Sequence, residues 1–141
     1  MGNIWRKVAV AGAMGLCWQA AGWAQTPQRT DLGKREFETR CASCHGLTGQ
    51  GNGTITDLLR KSPPDLTQLA RRNGGILPVD RLYQSITGDA VPAHGSRDMP
   101  IWGTVYRTDA ASHYVDVPYD AEGYVRSRVL VLLDYIARLQ R

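Results

Sequence analysis

Toward the end of the chain, Val125, Val129, Leu132, Leu133, Ile136 and Leu139 recur at intervals of three and four, with Arg126, Arg128, Asp134 and Arg138 off that stripe. The pattern predicts an amphipathic helix with one face on a core. Asp120 or Glu122 serves its N-terminus, and Arg138 and Arg141 suit the negative end of its dipole. A second helix is expected from about Leu32 to Cys41, capped by Asp31, with Leu32, Phe37 and the stem of Arg40 on its inner side. Gly33 lies four residues before Phe37, on the same face. Glycine inside a helix costs about 1 kcal/mol relative to alanine, and close approach by another helix would account for it. Val79, Leu82, Tyr83 and Ile86 give a third helix, ended by Gly88. Shorter turns are expected at 57–60, before Pro63-Pro64, and from Leu66 to Arg72, before Asn73-Gly74-Gly75. The glycine-rich run from Gly46 to Thr56 reads as a loop, and residues 89–122 read as mostly irregular. No alternating run is long enough for a strand and no repeat is present, so the expected fold is all-α with long loops.

Residues 1–24 differ from the rest. Arg6 and Lys7 precede an apolar run from Val8 to Leu16, and Gly22-Trp23-Ala24 suits cleavage before Gln25, so 1–24 reads as a secretory signal peptide. The alternative is an uncleaved anchor, since the uncharged stretch Val8 to Ala24 is 17 residues long, near the lower limit for a bilayer span. Gln19 and three glycines within it count against that, and Leu16 before Cys17 is not the small residue a lipidation site wants. Cleavage leaves 25–141 as one small domain. The presequence holds two of the 17 basic residues and none of the 13 acidic ones, so the remainder carries a net charge of +2. Nothing in it forms a Lys/Arg cluster dense enough for nucleic acid. With roughly half of the domain in loops, an organising object besides its own side chains is needed, and a buried prosthetic group would supply one.

The chemistry sits at Cys41-Ala42-Ser43-Cys44-His45. Without the presequence, Cys41 and Cys44 are the only cysteines, and a disulfide between them would close a trivial loop. Two thiols one helical turn apart suit the two vinyl groups of one haem, with the following histidine toward the iron. Chance occurrence of the motif, given three cysteines and three histidines in 141 residues, is on the order of 0.001. Zinc would want a second ligand pair, which is missing, and His94 and His113 are 19 residues apart. A redox dithiol would be expected beside a βαβ pattern, which is absent.

These features, in this order, resemble the small monohaem c-type cytochromes. Gly33 and Phe37 resemble the glycine and aromatic residue of that family's first helix, and Cys41, Cys44 and His45 its attachment motif. Pro64 in "PPDL" resembles the proline whose carbonyl holds the proximal histidine, Leu66 a haem-packing residue, and Leu132 and Tyr135 the C-terminal helix pair that crosses the first helix at its glycine. The resemblance implies short helices and long loops wrapped around one haem c, covalently attached through Cys41 and Cys44. It implies His45 and Met99 as the iron's axial ligands; Met99 is followed by Pro100 and is the one methionine outside the presequence. His94 is the rival ligand. Trp102 would pack on the haem, or serve as an ordinary core aromatic together with Tyr106, and Arg97 would pair with a propionate or be solvated. The expected protein is a periplasmic one-electron carrier of a respiratory chain and not an enzyme, docking transiently on redox partner proteins such as a dehydrogenase, an oxidase or another cytochrome, with no membrane insertion after signal cleavage. Two alternatives stand beside it: a haem c subunit dedicated to a dehydrogenase, terminal oxidase or sulfur-oxidising complex, with Gly103 to Gly123 as contact surface or as a wrap for the haem's lower edge, and a peroxidase-like enzyme or sensor with an open sixth position. The small net charge suggests a docking patch less basic than that of the mitochondrial relatives.

Overall fold

The structure, a computed structural model, describes residues 29–89 and 99–141. The proposed signal peptide with Cys17, and both His94 and Arg97, lie outside the described residues. Among those described there are six α-helices, two 3-10 turns and no strand: α1 (Leu32–Arg40), α2 (Ala42–His45), α3 (Leu69–Arg72), α4 (Val79–Thr87), α5 (Trp102–His113) and α6 (Ala121–Arg138). None of these helices is long and apolar enough to cross a membrane.

α1 starts where the Asp31 carboxylate accepts the Lys34 N–H at 2.9 Å, satisfying one of the amide donors a helix start leaves open. It then crosses α6 at Gly33. A Cβ built there would lie 2.0 Å from the Val131 carbonyl oxygen and 2.9 Å from Tyr135 Cβ, so only glycine lets the two backbones approach this closely. One turn on, Phe37 is fully buried with its ring 5.3 Å from that of Tyr135. The stripe of α6 closes the core: Val125, Val129, Leu132, Leu133 and Ile136 are all buried. Both ends of this crossing are tied. Arg138 reaches Asp31 at 2.6 Å, and the Gln140 amide donates to the carbonyls of Leu66 and Ile136, both at 2.8 Å, and accepts the Ala70 N–H at 2.9 Å.

α4 ends at Gly88, as its sequence indicates, and packs against α5 and α6. The expected helix at 32–41 is divided by Cys41 from α2, the turn at 57–60 is a 3-10 turn at Thr56–Leu58, and Leu66–Arg72 is a 3-10 turn leading into α3. One expectation fails. Residues 89–122 are not mostly irregular, because Trp102–His113 forms the twelve-residue helix α5. Its buried positions are Gly103, Tyr106 and Ala110, at helical spacing but with small residues at two of three. α5 packs on both α4 and α6, and close packing favours small side chains there, so the apolar stripe that announces α6 is missing.

Candidate functional site

α1 runs straight into the cysteine motif. The Cys41 N–H donates to the Phe37 carbonyl at 2.9 Å, and His45 N–H to the Cys41 carbonyl at 2.9 Å, so both cysteines and the histidine sit on one continuous helical path with a bend at Cys41. The short α2 leaves its last carbonyls open. The glycine-rich loop folds back to fill them: Gly51 N–H donates to His45 O at 2.8 Å, Gly53 N–H to Cys44 O at 3.1 Å and Ile55 N–H to Ser43 O at 3.1 Å. The loop is therefore the cap of the motif, a role that glycine content alone does not disclose. Leu66 N–H donates to Gly49 O at 2.7 Å, which joins the capped motif to the Pro63–Leu66 segment.

These segments surround a cavity of about 550 Å³, within the size range of small-molecule and cofactor sites. Seven of the residues singled out in the sequence line it: Cys41, Cys44, His45, Pro64, Leu66, Met99 and Trp102. Met99 follows His45 by 54 residues, and the fold brings it to the same space. Trp102 lines the cavity and also packs on the hydrophobic core. None of the segment Gly103 to Gly123 lines the space, and about half of it is α5.

The sequence reading missed the cations. Arg40, Lys61, Arg72 and Arg81 line the cavity, and no carboxylate does among the described residues. The wall carries these cations although residues 25–141 have a net charge of only +2. The signal was present in the sequence as Arg60-Lys61 and Arg71-Arg72, but nothing local distinguishes a cavity wall from a solvated helix end.

Cys41 is buried, and its thiol is pushed up to about 12 by that burial and, secondarily, by the Glu36 charge. It stays protonated at neutral pH. Redox dithiols instead need a thiol whose pKa is lowered, and Cys41 is not one. Zinc fares no better: among the described residues no three His, Cys, Asp or Glu side chains gather in a way that would hold a metal ion. Two thiols, an imidazole, a thioether, an apolar wall and four cations instead fit a large, apolar, planar group that reacts with thiols, binds nitrogen and sulfur through a metal, and carries carboxylates. Those are the demands of haem.

Fold and site thus define a protein, all-helical among the described residues, whose cavity offers two thiols for attaching a prosthetic group. A model of the cytochrome c family matches residues 30–100, half of the chain, and the chain belongs to that family, whose members bind haem and transport electrons. The dehydrogenase subunits of the quinone alcohol dehydrogenases of Gluconacetobacter polyoxogenes and Komagataeibacter europaeus are each 34% identical to it over 68 residues. The match takes in 48% of this chain but spans only 8% of the length of those relatives. No solved structure matches it.

Proposed function

We propose that this chain is a periplasmic carrier of single electrons that holds one haem c, with Cys41 and Cys44 as its thioether anchors and His45 and Met99 as its axial ligands. The observation that carries the reading is the convergence of those four residues on one cavity. When bound, the haem supplies a reversible ferrous–ferric couple. The chain's own residues decide how that couple behaves. His45 offers its imidazole from a turn capped by the glycine-rich loop. The Met99 thioether favours the ferrous state and, as a second protein ligand, leaves no position for substrate. Pro63, Pro64, Leu66, Leu69, Leu82 and Trp102 give the cavity an apolar wall for the macrocycle, and the cations of the wall suit the group's carboxylates.

Similarity to dehydrogenase subunits favours a dehydrogenase as the electron donor, either as a soluble partner met transiently or as a dedicated complex. The enzyme reading, with an open sixth position, has no comparable support, since a methionine lies within the cavity. Met99→His tests the assignment. The variant should keep its haem and show a reduction potential lower by on the order of 0.2 V, a fraction of the ~0.8 V over which axial ligands tune haem proteins; an unchanged potential removes Met99 from the iron.

A further inference from the structure

Arg40 ties the helix that leads into the cysteine motif to α5, and the family match does not account for its surroundings. It is the last residue of α1 and immediately precedes Cys41. Its guanidinium Nε pairs with Glu36 Oε1 on its own helix at 2.8 Å, and its Nη2 pairs with Asp109 Oδ2 on α5 at 2.5 Å. Its central carbon lies 5.6 Å from the Trp102 ring centre and 5.3 Å from that of Tyr106. Trp102, Tyr106 and Asp109 are spaced by four and three along α5, so they form one face of that helix over two turns, and Arg40 touches all of it. Glu36 is itself buried and faces Arg128 of α6 at 3.5 Å. The planar, multiply bonded guanidinium is thereby fixed in direction from below, a task an arginine performs and a lysine does not.

α5 is also held on another flank. A Cβ on Gly103 would lie 2.5 Å from the Thr87 carbonyl oxygen of α4, so the start of α5 is seated directly on the α4 backbone. Met99 stands three residues before α5, outside any helix. Its sulfur therefore takes its position from the start of α5, and that start is fixed by α4 on one flank and by Arg40 on another.

We propose that Arg40, oriented by Glu36 and paired with Asp109, is a positioning residue for the sixth ligand: it registers α5, and through it Met99, against the helix that carries Cys41, Cys44 and His45. The inference rests on the His45/Met99 reading. It goes beyond that reading by assigning the ligand's retention to an ion-pair and aromatic clamp between α1 and α5.

The test uses the ferric holoprotein titrated with imidazole, which competes for the sixth position, and followed by loss of the weak thioether-to-iron absorption band. Arg40→Gln strips the buried Glu36 of a partner and endangers the fold, so Asp109→Asn and Arg40→Lys are the working variants. Each should bind imidazole roughly tenfold more tightly than wild type, the size of effect expected when a coupled network loses one contact. Arg138→Gln is the control. It breaks the Arg138–Asp31 pair between α1 and α6, and should lower the melting temperature while leaving imidazole affinity unchanged. Wild-type affinity in Asp109→Asn and Arg40→Lys overturns the clamp alone, as does an affinity change in all three variants that merely follows melting temperature. A wild-type protein that lacks the band overturns the His/Met reading and the clamp with it.

Discussion

Replacing Gly33 with alanine isolates the contact on which the helical frame depends. Two effects oppose each other. Alanine is the better helix former by about 1 kcal/mol, so at an open helical site the change would stabilise. Here the new methyl would sit 2.0 Å from the Val131 carbonyl oxygen, against 3.4 Å for the onset of ordinary contact. A backbone carbonyl within α6 cannot swing aside as a side chain can, so α1 and α6 must separate by more than an ångström at that point. Overpacking of this kind costs about 1–3 kcal/mol and at times more. Because the obstacle is backbone and Phe37 and Tyr135 pack beside it, the upper part of that range applies. The net expectation is a loss of about 2 kcal/mol, or roughly 8–16 °C in melting temperature for a domain near 100 residues. Far-UV circular dichroism melts of the holoprotein measure it. A variant as stable as wild type, or more so, would refute the close crossing.

Three further outcomes follow from the site and its caps. Cys44→Ala leaves one thiol for attachment and should give holoprotein with a single thioether and lower haem occupancy, read by mass spectrometry and by the pyridine haemochrome spectrum; His45→Ala should give no stable holoprotein. In haem-free protein, the half-exposed Cys44 should be alkylated well before the buried, protonated Cys41 at pH 8, and equal rates would contradict the buried thiol. The Asp31 carboxyl is held below its ordinary 3.8 by the Lys34 N–H and then by Arg138; being depressed in the fold, it contributes stability fully above that value and loses it as pH falls through the lower folded pKa. Asp31→Asn should therefore flatten the fall of melting temperature in that acid window and leave its shape unaltered at neutral pH.

The parts of this protein that were legible in the sequence are those where one residue type has one physical reason. The α6 stripe needs a core, Gly33 needs a neighbouring helix, and Cys41, Cys44 and His45 at that spacing need a haem. Helix α5 was illegible because its buried positions at Gly103 and Ala110 are small, chosen for close approach to α4 and α6, and because Ile101 at its start offers no side-chain cap. The cation wall was illegible for another reason. Lys61, Arg72 and Arg81 come from separate turns that only the tertiary fold directs at one space. Gln140, near the C-terminus, likewise looks like an unremarkable polar residue until its amide is seen bridging Leu66, Ala70 and Ile136. The glycine-rich run was read correctly as a loop, yet its work lies in its backbone amides, which a sequence does not display.

The central claim is that Cys41, Cys44, His45 and Met99 hold one haem with both axial positions taken by the protein. The visible and near-infrared spectra of the purified protein, oxidised and then reduced under carbon monoxide, test it most directly. His45 and Met99 ligation gives a haem c spectrum with the weak thioether-to-ferric-iron band, and a reduced spectrum that carbon monoxide leaves unchanged. Absence of that band, with rapid carbon monoxide binding, would contradict it and place an open site where Met99 is assigned.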